Sequence, residues 1–273
     1  MADIFQDCSL TGGITRDCKV NLTAGTKDPL ALLNLQDIVN PLVIDVNQRN
    51  VVTGITKKFG TKAFLFTGIN NSNQPVNTTE KGTYKYTDIH ALTFVAWKVD
   101  PEAARAIEDF RGARIVSIYK DENGFYRIQG SNGGMELLTS TQTVNDEETG
   151  GAYNLELEGR REQGQPLFLA VYDYTNPENP VYDEGASDLL FNELFEKPSK
   201  AVSAVSLGNP TEFTVVSTAD MTEGMEVSFS GFDGTLGDAV NGNSFAVTIT
   251  STTTFTIALD STALANTVTG LIQ

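Results

Sequence analysis

A single histidine, two cysteines and many carboxylates are the residues of this sequence with the most chemistry to offer. His90 lies within a predicted strand, and no Gly-x-Ser-x-Gly motif or neighbouring cysteine supplies a nucleophile beside it. We therefore interpret His90 as a hydrogen-bonded histidine of a core or an interface. Cys8 and Cys18 each follow an aspartate, and without accompanying histidines they cannot form a zinc site of ordinary ligand count. The sequence leaves open whether these two cysteines form a disulfide.

The carboxylates cluster where turns are predicted. Asp121 begins an Asp-Glu-Asn-Gly turn that lacks the alternating ligands and terminal glutamate of a calcium loop. Residues 233–242, rich in glycine and aspartate, favour a loop with positive φ angles over a weak cation site. The sequence alone does not exclude a pair of catalytic carboxylates like that of a glycosidase, although residues 146–148 are typical of a solvated turn. No P-loop or dinucleotide fingerprint is present. We predict no catalytic, cofactor-binding or metal-binding residues, and no enzyme.

The stretch from 82 to 134 is the centre of the predicted fold. Residues 82–97 are dense in aromatic and β-branched types, which indicates a long strand. Its upper half is apolar on both faces, so we expect burial on two sides, by a second sheet, a helix or a neighbouring subunit. Residues 101–110 form a predicted helix with Asp100 as its N-cap, and residues 114–130 form a hairpin.

The remainder of the first 199 residues is mostly predicted strand. Residues 29–38 are interpreted as a short helix or a docking segment, within an N-terminal arm that orders on a partner. Residues 68–80 are interpreted as a long polar loop, either a mobile hairpin tip or an arm that packs on the next subunit. Residues 187–196 form a predicted capped helix. Further strands are predicted at 41–46, 51–57, 62–67, 135–144, 153–159 and 166–174.

Composition changes near residue 200. The following residues are rich in Thr, Ser and Gly, and five short strands recur between turn residues. That spacing suggests a small sandwich or barrel. We predict two β-rich domains, 1–199 and 200–273.

The charge of the chain restricts its partners. With 19 Lys and Arg against 35 Asp and Glu, the formal net charge is −16. Such an excess argues against phosphate-contact binding of nucleic acid. The N-terminus lacks the basic and apolar regions of a signal peptide, and no apolar run approaches membrane-spanning length. We expect a soluble protein made in a cytoplasm, with no membrane partner.

Three C-terminal motifs carry a resemblance. They are Gly-x-x-Val-x-Phe-x-Gly from Gly224, Asn-Gly-x-x-Phe-x-Val from Asn241 and Thr-x-x-Phe-x-Ile from Thr252. Residues 200–265 resemble the small β-barrel module named after the FCCH region of ubiquitin-activating enzymes, which is similar to domains appended to phage virion proteins. The resemblance implies virion decoration and no ubiquitin chemistry, because no catalytic cysteine lies in the segment.

Residues 1–175 resemble phage tail tube (major tail) proteins. The matching segments are 7–18, 123–130 followed by Gly133, Gly134 and Met135, and 151–159 ahead of 166–171. The resemblance implies a mainly β fold, a tail-tube-like β-sandwich flanked by a short α-helix, with the small all-β barrel appended.

The same resemblance implies a structural role in a virion. It implies homohexameric rings that stack into a tube, with other tail or head–tail proteins as partners. Viral DNA would pass through an acidic lumen without specific binding, because like charges repel. The chain would be assembled in the cytoplasm of a host bacterium and reside in the tail. Two alternatives stay open: another virion component, such as a capsid decoration or head–tail connector protein, and a carbohydrate-binding or hydrolysing surface protein.

Overall fold

The computed structural model describes most of the chain from residue 25 onward. The described residues are 25–39, 42–67, 72–83, 86–97, 100–142, 151–162, 164–176, 179–264 and 270–273. The N-terminal arm as far as residue 24, with Cys8 and Cys18, lies outside them, as do residues 68–71 of the predicted loop and residues 143–150, which include the acidic turn at 146–148.

The first part of the described chain holds thirteen strands and two α-helices. In chain order they are β1 (Thr26–Asn34), β2 (Val43–Ile44), β3 (Val51–Gly54), β4 (Phe64–Phe66), β5 (Gln74–Lys81), β6 (Tyr86–Ala96), α1 (Pro101–Asp109), β7 (Ile115–Asp121), β8 (Tyr126–Gln129), β9 (Glu136–Gln142), β10 (Tyr153–Glu162), β11 (Leu167–Leu169), β12 (Val171–Asp173), β13 (Val181–Asp183) and α2 (Glu184–Glu193).

Two sheets face each other in this part. A seven-stranded sheet has the order β2-β3-β11-β8-β7-β1-β4, and a four-stranded sheet has the order β5-β6-β10-β9. One buried cluster fills the space between them and joins Leu30 and Leu32 of β1 to Phe94 of β6 and Leu155 of β10. The mainly β fold with a flanking helix is therefore confirmed.

Two-sided burial falls on β1 rather than on the long strand β6. Leu30, Ala31, Leu32 and Leu33 of β1 are all fully buried, since alternate residues enter the clusters on the two faces of the sheet. In β6 only one face is fully covered. On the other face Ile89 is buried, but residues 91, 93 and 95 are partly exposed. The expected second cover of β6 is thus not supplied within the described part of the chain.

Two predicted elements differ in the structure. Residues 29–38, interpreted as a short helix or docking segment, form most of β1 and a short 3-10 turn, Leu35–Asp37. A strand buried on both faces has a continuous apolar run, which periodicity alone does not distinguish from a helix. Residues 74–80, interpreted as loop, belong to β5, which pairs with β6 from Gln74 to Lys81. Ladder hydrogen bonds here outweigh the low strand propensity of Pro75 and Asn77.

Helix α1 begins as predicted. The Asp100 carboxylate accepts a hydrogen bond from the Ala103 N–H at 2.8 Å, and Pro101 occupies the first turn. Ile107 and Phe110 lie in the cluster between the sheets, where Phe110 is in ring contact with Phe66 and Phe94. The helix therefore closes one end of the sandwich.

Helix α2 covers the other face of the seven-stranded sheet. It begins at Glu184 rather than at Ser187, because Asp183 caps it by accepting from the Ala186 N–H at 2.9 Å. Ser187 is instead buried inside the helix and accepts a hydrogen bond from the Val171 N–H. Phe191 stacks on Tyr126 of β8 with ring centroids 4.6 Å apart.

An ionic contact fixes α2 against the β7–β8 hairpin. Oδ1 of Asp188 accepts from Lys120 Nζ and from the Tyr126 hydroxyl, each at 2.7 Å. Partial burial would raise the pKa of Asp188, but these two hydrogen bonds outweigh it and hold the pKa below its usual range. The folded state therefore favours the ionised carboxylate.

Asp188→Asn is expected to lower the free energy of unfolding by about 1–2 kcal/mol at pH 7. A carboxyl with a lowered folded pKa stabilises the fold fully above its unfolded pKa of about 3.9, and that stabilisation is lost as pH falls through the folded pKa. The difference between wild type and variant should therefore shrink as pH falls below the unfolded pKa and through the folded pKa. Urea unfolding at pH 7 and at successively lower pH values measures it. Asp238→Asn, on an exposed helix position, should change stability by less than about 0.5 kcal/mol.

The last part of the chain forms a closed barrel. Its elements are β14 (Lys200–Ser206), β15 (Thr211–Val215), β16 (Glu226–Ser230), α3 (Gly234–Val240), β17 (Ser244–Ile249), β18 (Thr254–Ile257) and β19 (Gly270–Ile272).

The six strands of the barrel close in the order β14-β15-β18-β17-β16-β19. Phe213, Phe229 and Phe255 meet in its centre, which confirms the small C-terminal barrel. The predicted loop at 233–242 is instead mainly α3, and the positive φ angles occur only near its ends, at Gly234 and Gly242. Asn241 holds the element by exchanging hydrogen bonds with the backbone of Phe232.

Phe59, from the connection between β3 and β4, joins the sandwich to the barrel. It is 1% exposed and belongs to the barrel's hydrophobic cluster with Phe213 and Phe229. The Lys200 ammonium lies 5.4 Å from the centre of its ring. Lys57, two residues earlier, donates to the carbonyls of Glu193 and Leu194 at the end of α2. One short segment therefore contacts both halves of the molecule.

Candidate interaction surface on the four-stranded sheet

The side of the four-stranded sheet away from the core is identified by strand pairing. Leu92, Phe94, Leu155 and Leu157 point into the sandwich, so the residues between them point outward. Residues directly opposite in a ladder share a face. Register therefore places on the outward face 74, 76, 78 and 80 of β5, 87, 89, 91, 93 and 95 of β6, 154, 156 and 158 of β10, and 136, 139 and 141 of β9.

This outward face is mostly polar, and the charged residues that register places on it are four glutamates, although Val76, Ile89, Ala91 and Val95 also lie on it. Glu80, Glu136, Glu156 and Glu158 lie on it among threonines. Glu158 forms an ion pair with Arg160 at 2.5 Å, and Glu136 forms one with Arg114 at 3.3 Å. Glu156 accepts a hydrogen bond from Thr139 across the β9–β10 ladder at 3.2 Å. Carboxylates fixed on one surface create a negative potential that repels polyanions.

Both edge strands of this sheet are exposed along most of their length. Seven of the eight residues of β5 and six of the seven residues of β9 are exposed, on either face of the strand. Leu138 is 54% exposed at a bulge in β9. Edge strands with open backbone groups are templates for pairing with another chain. The sheet therefore offers two edges and one acidic face.

A buried polar contact fixes β5 from the inside. Gln129 of β8 crosses the sandwich and donates to the Asn77 side-chain oxygen at 2.7 Å and to the Val76 carbonyl at 3.3 Å. Beside it, burial raises the pKa of Tyr119 to about 12, so this phenol stays neutral. These contacts hold the exposed strand in register although it contributes little to the core.

His90 is a structural residue by its geometry. It is 2% exposed, its Nδ1 accepts from the Gly130 N–H at 3.2 Å, and its Nε2 donates to the Gly164 carbonyl at 3.0 Å. The carboxylate of Asp88 accepts from the Gly164 N–H at 2.7 Å. The pKa of Asp88 is lowered mainly by a hydrogen bond from Thr79. The hydrogen bond from Gly164 also lowers this pKa, whereas desolvation by burial opposes the shift. The interpretation of His90 as a hydrogen-bonded histidine agrees with these contacts.

The turn at Asp121 and the close approach at Gly130 hold backbone rather than ligands. The Asp121 carboxylate accepts from the Phe125 N–H and from Arg127, which completes the β7–β8 turn. Gly130 has a φ of 78°, and a Cβ on it would lie 2.6 Å from the Ile115 carbonyl oxygen. Only glycine fits this close approach, which places the Gly130 N–H against His90.

Within the described residues, no group of three or more His, Cys, Asp or Glu could hold a metal ion. The carboxylates of residues 233–242 are separated by α3, with Asp233 before its first residue and Asp238 on an exposed position. Asp233 and Asp238 are thus not brought together as ligands of a cation, whereas Cys8 and Cys18 lie outside the described residues.

The sequence did not predict that these residues lie together on one surface. The alternation at 153–159 placed Glu156 and Glu158 on one face, but the partners of that strand could not be read from it. Residues 74–80 of β5 were interpreted as loop because they are mostly polar and show no alternation.

No protein-family model matches the chain, and no curated protein matches it. Across the described segments, no helix has the length and apolar character needed to cross a bilayer.

Proposed function

We propose that this protein is a structural virion subunit, a phage tail tube (major tail) protein. Copies of the chain would form stacked, hexameric rings whose channel delivers the genome. The four-stranded sheet carries the proposal, since it combines two exposed edges with an acidic outward face. Pairing of β5 with β9 of the next copy would continue the sheet around a ring.

The charge pattern suits a conduit for DNA. Glu80, Glu136, Glu156 and Glu158 would face the lumen if the sheets closed into a ring. Like-charge repulsion acts over a Debye length of about 8–10 Å, so DNA would pass without binding. The partly exposed face of β6 would then lie toward the lumen, and the subunit contacts would involve the edge strands.

The barrel would be displayed on the outside of such a ring. Phe59 contacts the barrel and Lys57 contacts the end of α2, which lies on the far side of the seven-stranded sheet from the four-stranded sheet. Other tail or head–tail proteins would be its partners, with assembly in the host cytoplasm and final location in the tail.

Negative-stain electron microscopy of the purified chain, beside its mass by light scattering, tests the proposal. Rings or tubes with a central channel and six-fold symmetry are the expected result. A stable monomer at high concentration would contradict it and would favour a decoration protein that needs another lattice.

Leu138→Asp is expected to abolish rings by placing a charge and a desolvation cost at the β9 edge. The matched control is Val216→Asp, on a barrel residue that is 85% exposed. Both chains should keep their melting temperatures within about 2 °C of wild type, because both sites are on the surface. If the first variant still forms rings by microscopy, the β9 edge is not the subunit contact.

A further inference from the structure

An open groove lies beside the free edge of the seven-stranded sheet. Its volume is about 1020 Å³, and its walls include Leu35, Phe64, Phe66 and Phe110. Among the described residues, the strand that borders it, β4, pairs with β1 alone and is the last strand of the sheet. Phe64 is 54% exposed on this strand, although it is one of the largest apolar side chains of the chain. A groove that combines apolar walls with open backbone groups fits an extended peptide that adds as a strand.

We propose that this groove is the docking site of the chain's own N-terminal segment, residues 1–24. The segment would lie along the free edge of β4 and place aliphatic or aromatic side chains in the groove. Ile4, Phe5, Leu10 and Ile14 are available for this purpose. The inference concerns another surface than the four-stranded sheet and does not rest on the proposed function.

The length of the segment permits the contact. The described chain begins at Gly25, one residue before β1, and β1 pairs with β4 through Leu30 to Leu32. The path from Thr26 to the level of Leu32 is about 20 Å at 3.3 Å per residue, and the position beyond β4 lies two strand spacings, about 10 Å, from β1. Twenty-four residues span about 80 Å when extended. The segment can therefore turn back and still lay several residues along β4.

Charge favours the same occupant. The charged residues that line the groove are Asp109, Arg111 and Arg114, and Arg114 also forms an ion pair with Glu136 at 3.3 Å. The segment has three aspartates, Asp3, Asp7 and Asp17, against one arginine and one lysine. An aspartate of the segment would pair with Arg111.

The two cysteines of the chain allow a direct test. Ala106 is exposed on α1 and lines the groove, whereas Glu108, also exposed on the same helix, does not line it. Ala106→Cys is combined with Cys8→Ser or with Cys18→Ser, so that one native thiol remains in each full-length variant. Glu108→Cys in the same two backgrounds is the matched control. Oxidation with a mild reagent is followed by non-reducing electrophoresis and peptide mapping.

We expect an intrachain disulfide to the groove position in at least one background, formed at least about tenfold faster than in the matched control. The control is needed because a flexible tether alone gives millimolar effective concentration at any nearby site. Equal rates at the two helix positions in both backgrounds would overturn the proposal. A disulfide-linked dimer as the main product would also overturn it, since the occupant would then come from a second copy.

Discussion

Phe59→Ala is expected to lower the free energy of unfolding by about 3–5 kcal/mol and the melting temperature by about 10 °C. The side chain comes from the sandwich part of the chain but is buried in the hydrophobic cluster of the barrel. Its removal leaves a cavity lined by barrel residues and removes the ring beside Lys200. The cavity and the lost ring both weaken the contact between the sandwich and the barrel.

Fluorescence of Trp97, the only tryptophan of the chain, reports on the sandwich alone, because this residue follows β6 in the sandwich. Coupled parts should unfold together by tryptophan fluorescence and by far-UV circular dichroism. In Phe59→Ala the circular dichroism transition should begin at lower temperature, since the barrel loses part of its core. Phe59→Leu should keep most of the stability, because the change in volume is small.

Tyr86→Ala supplies the exposed aromatic control, since Tyr86 is 65% exposed. It should shift the melting temperature by less than about 2 °C. An unchanged melting temperature in Phe59→Ala would mean that the contact does not stabilise the barrel.

The local elements with strong sequence signals were predictable. The Asp-Pro start of α1, the Asn-Gly turn after β7 and the alternation of β10 each specify their conformation within about ten residues. Elements whose conformation depends on distant partners were not. The sequence of β1 suggested a helix because both faces of this strand are buried and its apolar residues run continuously. The sequence of β5 suggested a loop because its register depends on the distant partners β6 and Gln129.

The candidate surface shows the same division. The outward position of Glu156 and Glu158 follows from period-two alternation, which is a local property. The exposure of the β5 and β9 edges follows from the order of the strands in the sheet, and no local sequence pattern predicts that order. The insertion of Phe59 into the barrel had no sequence signal either, since a single aromatic residue in a loop has no periodic context.

The acidic face should decide whether the protein repels or binds DNA, and reversing it gives the largest expected functional effect. We expect the wild-type chain to leave duplex DNA unbound and the Glu80→Lys, Glu156→Lys double variant to bind it. Glu80 is exposed on β5, and Glu156 is partly exposed on β10, so neither substitution places a charge in the core. Fluorescence anisotropy of labelled duplex DNA at low salt measures the binding.

Two comparisons separate the effect of this face from that of net charge. Glu226→Lys with Asp238→Lys, at exposed barrel positions, changes the net charge equally and should leave DNA unbound. The same two glutamates changed to glutamine remove the repulsion without adding phosphate contacts, so affinity should stay weak. Binding by the lysine pair should fall at least about tenfold between 50 and 200 mM salt, because counterion release drives it. Equal binding by the barrel pair would mean that net charge alone, rather than the outward face of the four-stranded sheet, keeps DNA away.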